Sequence, residues 1–368
     1  MSETLAEHGT AAGTVPFISR LRLKNYKSIA QCDVRLGPLT ILVGPNGAGK
    51  SNFLDALEFL CRAVATSPNQ ALEERGGFES VVRQVPATSS SFSIEVEVTV
   101  PWWPASPEFA ASYAIEIGRA TDSARNCCLF LGQQRTSRSR AGRGTFPRNR
   151  GSRAFRTDSL RRPQRSSQRA VLRRHGEGLG DVLAALSADR PSVKARIDAY
   201  LSAIADGATG IEARDAGGYK TVVLNTRVDD DAFDFGSEAM SEGTVRSAAV
   251  LATLFQPESL NGRLPLVGIE EPEIALHPAA AGVLFDALTE ASEHVQVIAT
   301  SQSADLLDRE DLDPDVIRPV AMRAGLTVIG EVDDASQEIV RQKLYTLGEL
   351  MRANQLSPQT SQESAADA

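Results

Sequence analysis

The sequence predicts an α/β fold with a mostly parallel core sheet, an antiparallel β subdomain and a helical insertion. Three observations predict it. The β-branched and apolar run Thr40–Val43 leads straight into the glycine-rich string GPNGAGKS, after which Phe53, Leu54, Leu57, Leu60 and Cys61 recur at helical spacing. From Glu242 onward, helix-length and strand-length apolar runs alternate, the rhythm of a parallel sheet with helices on both faces. Between Ser91 and Gly118 the period is two instead (Phe92, Ile94, Val96, Val98, Val100), which marks antiparallel strands with one wet face.

Taken in order, residues 1–16 are small and polar and read as a disordered N-terminus. Residues 17–118 hold the strands ISRLRLKNYKSI and CDVRLGPLTILVG, the glycine-rich loop, the helix SNFLDALEFLCRAV, and the strands SFSIEVEVTV and SYAIEIG. Residues 119–175 form an arginine-rich insertion that reads as disordered. In 176–356, GLGDVLAALSADRPSVKARIDAYLSAIA reads as two helices broken at Pro191, and IEARDAGGYKTVVLN as a hairpin turning at Gly217 and Gly218. A helix Glu242–Phe255, a strand Leu264–Ile269, a helix Ala279–Ser292, a strand Val295–Ala299 and a further helix follow. Residues 357–368 read as a disordered tail.

The 368 residues are 42% hydrophobic and 23% charged, which excludes a wholly disordered or fibrous chain. No run of eighteen apolar residues occurs, so no membrane span is expected. Four cysteines and four histidines lie without metal-ligand spacing, and with no secretory signal in the first fifteen residues the expected compartment is the reducing cytoplasm. The net charge of -8 hides an asymmetry. Between Arg119 and Arg174 stand sixteen Arg, no Lys and two acids, a local +14 that leaves -22 on the remainder.

GPNGAGKS at Gly44–Ser51 satisfies GxxxxGK[ST], with a strand before it and a helix after it. Gly44, Gly47 and Gly49 let the backbone approach phosphate oxygens, with Pro45, Asn46, Ala48 and Asn52 completing the turn around them. Lys50 supplies a cation for the β and γ phosphates, and the Ser51 hydroxyl is a ligand for Mg²⁺. The expected ligand is a nucleoside triphosphate with Mg²⁺. Downstream, LPLVGIEEPEIALHP delivers Glu270 and Glu271 to the carboxyl end of an apolar strand, where open α/β sheets bind ligands. Successive strand residues face opposite ways, so the first acid can orient Mg²⁺ and the second can polarise an attacking water.

These pieces resemble the ABC-type ATPase heads of the RecF, SMC and OLD-nuclease kind, and more closely the bacterial AAA family proteins described as predicted ATPases. The likeness rests on LRLKNYKSI, GPNGAGKSN, MSEGTVR (Met240–Arg246), IEEPEIALHP, VIATSQSADLLD (Val297–Asp308) and LYTLGELMRANQL. It implies that ATP is the nucleotide and that Ser241, Glu242 and Gly243 form a signature reaching the γ-phosphate held by the partner in a homodimer formed on ATP. On the residues alone, Ser241 with Thr244 reads equally as a helix N-cap. Glu270 takes the Mg²⁺ position and Glu271 that of the general base. Gln302 stands where the family carries a histidine; an amide donates a hydrogen bond but carries no charge, so slow hydrolysis is expected. Gln84 is the nearest candidate for a Mg²⁺-sensing glutamine.

The resemblance implies a nucleotide-dependent dimeric switch in DNA repair or phage defence, with any nuclease or effector in a separate chain. A non-hydrolysing nucleotide-sensing scaffold is the alternative, and a transporter ATPase subunit a more distant one. For the arginine-rich stretch, contact with DNA, an insertion in solvent or docked on the acidic body, and an out-of-frame stretch all stay open.

Overall fold

A computed structural model describes residues 17–84, 89–100, 109–119, 128–132, 135–136, 155, 157–167, 170–229 and 231–359. The first strands, β1 (Phe17–Tyr26) and β2 (Ile29–Arg35), form a hairpin closed by Tyr26 opposite Ile29. β3 (Leu39–Val43) is buried at all five positions and feeds the glycine-rich loop, from which α1 (Lys50–Ala65) starts. The short helices α2 (Pro68–Glu73) and α3 (Phe78–Val81) lead to β4 (Ser91–Val100), β5 (Phe109–Arg119), β6 (Cys128–Gly132) and β7 (Arg135–Thr136). β1, β2, β4, β5 and β6 make one antiparallel sheet in the order β2-β1-β4-β5-β6, with β7 beside β5.

After α4 (Thr157–Arg161) and β8 (Gln164–Arg165) come the two helices broken at Pro191, α5 (Leu179–Asp189) and α6 (Pro191–Ile204). The hairpin β9 (Ala208–Ala216) and β10 (Tyr219–Val228) turns at Gly217 and Gly218 as expected, both at positive φ, and β11 (Asp231–Gly236) pairs on the other side of β10. Then follow α7 (Glu242–Phe255), α8 (Pro257–Leu260), β12 (Leu266–Glu270), α9 (Pro278–Ser292) and β13 (Gln296–Ser301). The helix expected next is a single 3₁₀ turn, Asp305–Leu307, and two strands the sequence reading passed over, β14 (Ile317–Arg323) and β15 (Leu326–Ile329), come after it. Pro319 obscures β14, yet pairs opposite Val43. α10 (Asp334–Arg341) and α11 (Leu347–Arg352) complete the described chain.

The core sheet runs β12-β13-β3-β14-β15, parallel except for the last pair. β3 shows why both faces must be covered: Leu39, Ile41 and Val43 join the core built on α7 and α9, whereas Leu42 joins the core built on α1 and the antiparallel sheet. Alternation sends successive side chains to opposite faces, so a five-residue strand serves two cores. Buried Gln296 ties the sheets together: Ile18 N donates to its Oε1, and its Nε2 donates to the carbonyls of Ile18 and Gly37, each at 2.9 Å.

The structure moves one expected boundary. Phe155, Leu160 and Leu172 are 5%, 2% and 0% exposed within the α7–α9 core, so the body of the head resumes by Phe155 rather than at 176. Strand β6 likewise pairs with β5 inside the arginine-rich stretch. The expectations for 1–16, for 120–127, 133–134, 137–154, 156 and 168–169 of the insertion, and for 360–368 lie outside the described residues, whereas Ser357, Pro358 and Gln359, expected in the tail, pair with Asp333, Val332 and Glu331. Leu160→Ala is expected to cost about 2–5 kcal/mol of folding stability in a urea titration, the penalty of a filled core position; an unchanged midpoint would return this stretch to the solvent.

Candidate functional site

The site grows from the carboxyl end of β3. Gly44 donates its N–H to Ser301 O at 3.3 Å, and a Cβ at Gly44 would stand 2.1 Å from the Val320 carbonyl oxygen. Gly49, at φ 107°, would place a Cβ 2.1 Å from Thr327 Oγ1. These two glycines are required by the protein's own backbone and packing. Gly47 differs: its φ is 75° and a Cβ there would meet nothing within 4 Å, so its open face is available to a ligand. Pro45, Asn46 and Gly47 are exposed, whereas Ala48 is buried.

Lys50 opens α1 and is 5% exposed. Its Nζ donates to the carbonyls of Gly44 (2.7 Å) and Pro45 (3.0 Å), which curls the ammonium over the loop. Burial pulls its pKa below the ordinary lysine value, and Glu271 and Glu273 oppose that shift. A glycine-rich loop at a helix N-terminus, curled around a buried ammonium, suits a polyphosphate. Asn52 takes another part: its Nδ2 donates to Ser28 Oγ at 2.7 Å, and Ser28 Oγ shares a 2.7 Å bond with Thr327 Oγ1, so Asn52 braces the loop against β15.

The acids arrive by register. Parallel pairing sets Glu270 opposite Thr300 and Ser301 opposite Val43, so the ends of β12, β13 and β3 lie side by side. Ser51 Oγ donates to Glu270 Oε2 at 3.1 Å, bringing a hydroxyl and a carboxylate together as hard-cation ligands should be. Glu271 breaks from the strand at φ 45°, unusual for a residue with a Cβ, and is held there by N–H bonds to Thr300 O (3.0 Å) and Thr300 Oγ1 (3.2 Å). Gln302 Nε2 donates to Glu271 Oε2 at 3.1 Å.

Glu273 was missed by the sequence reading, although the acid after Pro272 in EEPE was its signal. It is 8% exposed, and its Oε1 accepts from Ser301 Oγ (2.6 Å) and Gln302 N (3.3 Å). Its Oε2 is buried without a partner among the described residues. Burial pushes its pKa above the ordinary value of 4.5; the Ser301 bond opposes that shift and nearby Glu271 adds to it.

The signature residues occupy a different element. Ser241 is the N-cap of α7 and accepts from Thr244 N at 3.1 Å, so the capping reading holds. Gly243 lies against the loop after the acids: a Cβ there would come 2.2 Å from Ala275 O. Among the described residues no hydrogen bond joins Ser241, Glu242 or Gly243 to the phosphate loop. His277 caps α9, accepting at Nδ1 from Ala279 N (3.2 Å). Gln84 donates to Glu79 O at 2.6 Å beside α3.

The family model described as "AAA domain, putative AbiEii toxin, Type IV TA system" matches residues 104–308, more than half of the chain. The chain belongs to this family. A second model, "AAA ATPase domain", matches residues 17–98, so the two together take in the strand-loop-helix and the acids alike. The DNA replication and repair protein RecF of Porphyromonas gingivalis is 36% identical over 86 residues, 23% of this chain and 24% of that protein. The OLD nuclease of Thermus scotoductus is 46% identical over 43 residues, 12% of this chain and 8% of that one. The chain thus spans about a quarter or less of these relatives' length. Among solved structures, an Smc head bound to the C-winged helix domain of ScpA superposes with a TM-score of 0.56 at 14% identity, covering 87% of this chain and 99% of that one. The Smc head of Pyrococcus yayanosii gives 0.55 at 11% identity over 89% and 100%. These likenesses show the fold: a P-loop ATPase head of the RecF, SMC and OLD kind.

The raised Glu273 pKa has a signed consequence. Between its unfolded value and its higher folded value, the native state binds more protons than the unfolded state, so this carboxyl's contribution falls as pH rises through that interval. Glu273→Gln, which cannot ionise, is expected to gain stability relative to wild type as pH is raised from 4 to 8 in paired denaturation curves. Parallel curves would show that the carboxyl is not desolvated.

Proposed function

We propose that the chain binds ATP with Mg²⁺ and hydrolyses it, acting as a switch that pairs head to head with a second copy when ATP is bound. One observation carries the reading: Lys50, the Ser51–Glu270 pair and the Glu271–Gln302 pair meet at the adjacent carboxyl ends of β3, β12 and β13. That is the set of groups phosphoryl transfer to water requires, a cation, a metal-ligand pair and a base.

The residues fit Mg²⁺, since Ser51 Oγ and Glu270 Oε2 are oxygen donors 3.1 Å apart on rigid elements. Bound there, the ion would screen charge on the β and γ phosphate oxygens. The chain's own groups do the rest. Loop N–H groups and the Lys50 ammonium bind the phosphates; Glu271 accepts the proton of the attacking water at the oxygen free of Gln302; Gln302, bonded to the other oxygen, sets the carboxylate's direction. Neutral Gln302 adds no positive charge at the transferring phosphate, which supports a slow reaction. In the dimer, Ser241, Gly243 and the α7 N-terminus would face the partner's γ-phosphate, where N–H groups and the helix dipole favour an anion.

The domain division follows from this: 17–118 with 155–356 make the head, and the arginine-rich stretch between them is the place for a nucleic-acid contact. The name of the RecF relative, a DNA replication and repair protein, supports work on DNA, and that of the OLD nuclease supports a nuclease or other effector acting as a separate chain, with the cytoplasm as the proposed compartment. Among the described residues no helix is long and apolar enough to cross a membrane. The sensing-scaffold alternative draws on the same Gln302.

Phosphate release with Mg²⁺, measured with and without DNA, separates the two readings. Glu271→Gln should lower turnover by about 10²–10⁴-fold, the worth of a general base, and accumulate an ATP-bound dimer in light scattering. Lys50→Ala should abolish nucleotide binding. Absence of an ATP-dependent dimer in both wild type and Glu271→Gln would sink the switch, and phosphate release unaffected by Glu271→Gln would sink the base assignment.

A further inference from the structure

The arginine-rich stretch ends against the signature. α4 lies beside the start of α7, and four hydrogen bonds join the segment Phe155–Arg161 to the segment Ser237–Arg246. Arg161 Nη2 donates to the carbonyl of Met240 at 2.8 Å, and Ser237 Oγ returns a bond to the carbonyl of Arg161 at 2.7 Å. Thr157 Oγ1 donates to Glu242 Oε1 at 2.9 Å, and Arg246 Nη1 reaches the carbonyl of Phe155 at 3.0 Å. Partners from Ser237 to Arg246 thus bracket Ser241 on both sides.

The contact is packed as well as bonded. Phe155 and Leu160 share a core with Met240, Val245, Ala248 and Ala249 of the signature region. A Cβ at Gly176 would fall 2.2 Å from Leu160 Cδ2, so the residue opposite is pared to hydrogen to admit the leucine. The two guanidinium groups mostly meet carbonyl oxygens, and Nε of each, in Arg161 and Arg246, is buried without a partner among the described residues. A buried donor left unmet costs about 1–3 kcal/mol. These arginines are therefore poor devices for stability and good ones for fixing where a backbone carbonyl sits.

We propose that Phe155–Arg161 is a positioning strap for the signature, with Arg161 setting the Met240 carbonyl and through it the direction in which Ser241 and the α7 N-terminus point. This rests on the reading of Ser241–Gly243 as the element that meets the partner's γ-phosphate. The φ of the N-cap residue is the rotation relative to the peptide before it, and that peptide's oxygen is the atom Arg161 holds. A misdirection of about 1 Å at a group that meets a transition state costs on the order of a hundredfold in rate without altering ground-state binding. The strap also makes the close of the arginine-rich stretch and the ATP site one mechanical unit.

The test uses the full chain and reads two quantities, turnover by phosphate release and affinity for a fluorescent ATP analogue. Arg161→Ala is expected to lower turnover at least tenfold while analogue affinity stays within about twofold, because Lys50 and the phosphate loop are untouched. Arg161→Lys, which can still donate to Met240 O, should recover part of the loss. Thr157→Val removes only a partly exposed hydroxyl, so it folds even where Arg161→Ala does not, and should lower turnover severalfold. Combined with Ser241→Ala, Arg161→Ala should add little to the single Ser241 loss. Arg161→Ala or Thr157→Val folded and at wild-type turnover, or additive losses with Ser241→Ala, overturn the strap. If Ser241→Ala itself leaves both turnover and ATP-dependent dimerisation intact, the signature reading fails and takes the strap with it; loss on Ser241→Ala with no loss on the strap variants condemns the strap alone.

Discussion

The site depends on the register of three parallel strands. Because Glu270 pairs opposite Thr300 and Ser301 opposite Val43, the last residues of β12, β13 and β3 emerge at one edge of the sheet. A slip of one residue would turn Glu270 to the opposite face and separate it from Ser51, since side chains alternate along a strand. Thr300 shows how closely the register is used. Its carbonyl and hydroxyl both accept the N–H of Glu271, so the strand that follows β12 in sequence also holds the break at which β12 ends.

That break places charge in a small volume. Lys50 is buried, and Glu271 and Glu273 both act on it; Glu273 is buried and biased towards its neutral form. An ammonium among carboxylates would be neutralised in a static ion pair. Here it bonds to carbonyl oxygens of its own loop instead. The cation thus stays available to exchange weak neutral acceptors for phosphate oxygens, which bind it more strongly. Glu273, bonded to Ser301 and to the backbone of Gln302, keeps the glutamine in reach of Glu271.

Close approach of backbone is the second recurring device. Gly44 against Val320 O and Gly243 against Ala275 O are contacts that a single methyl group would break. The first seats the phosphate loop on β14, the second seats the signature helix on the loop that follows the acids. The phosphate loop with α1 and the start of α7 with α4 thus rest on two cores, joined by β3, which contributes side chains to both. The C-terminal end is fixed to the same region: Thr346 Oγ1 and Arg352 both bond to Asp308, just after the Gln302 turn.

Local chemistry made the phosphate loop, the broken helix at Pro191, the Gly217–Gly218 hairpin and α7 legible from sequence, because glycine, proline and apolar period act within a few residues of themselves. Glu270 and Glu271 were legible because an apolar strand must end somewhere and α/β sheets bind ligands at that end. β14 was hidden by Pro319, which reads as a strand breaker in sequence yet stands in register with Val43 of β3, and Glu273 by lying beyond the pair that drew attention. The expectation that residues up to 175 stay outside the fold came from composition, which counts arginines and cannot see that Phe155, Leu160 and Leu172 are aimed inward. By itself the sequence determined the class of fold and where along it the glycine-rich loop and the strand-end acids fall. Tertiary structure alone decided which of them meet, that Asn52 braces rather than binds, that Gln302 reaches Glu271, and that α4 grips the signature, because each of these is a contact between segments far apart in sequence whose geometry only strand register and core packing can set.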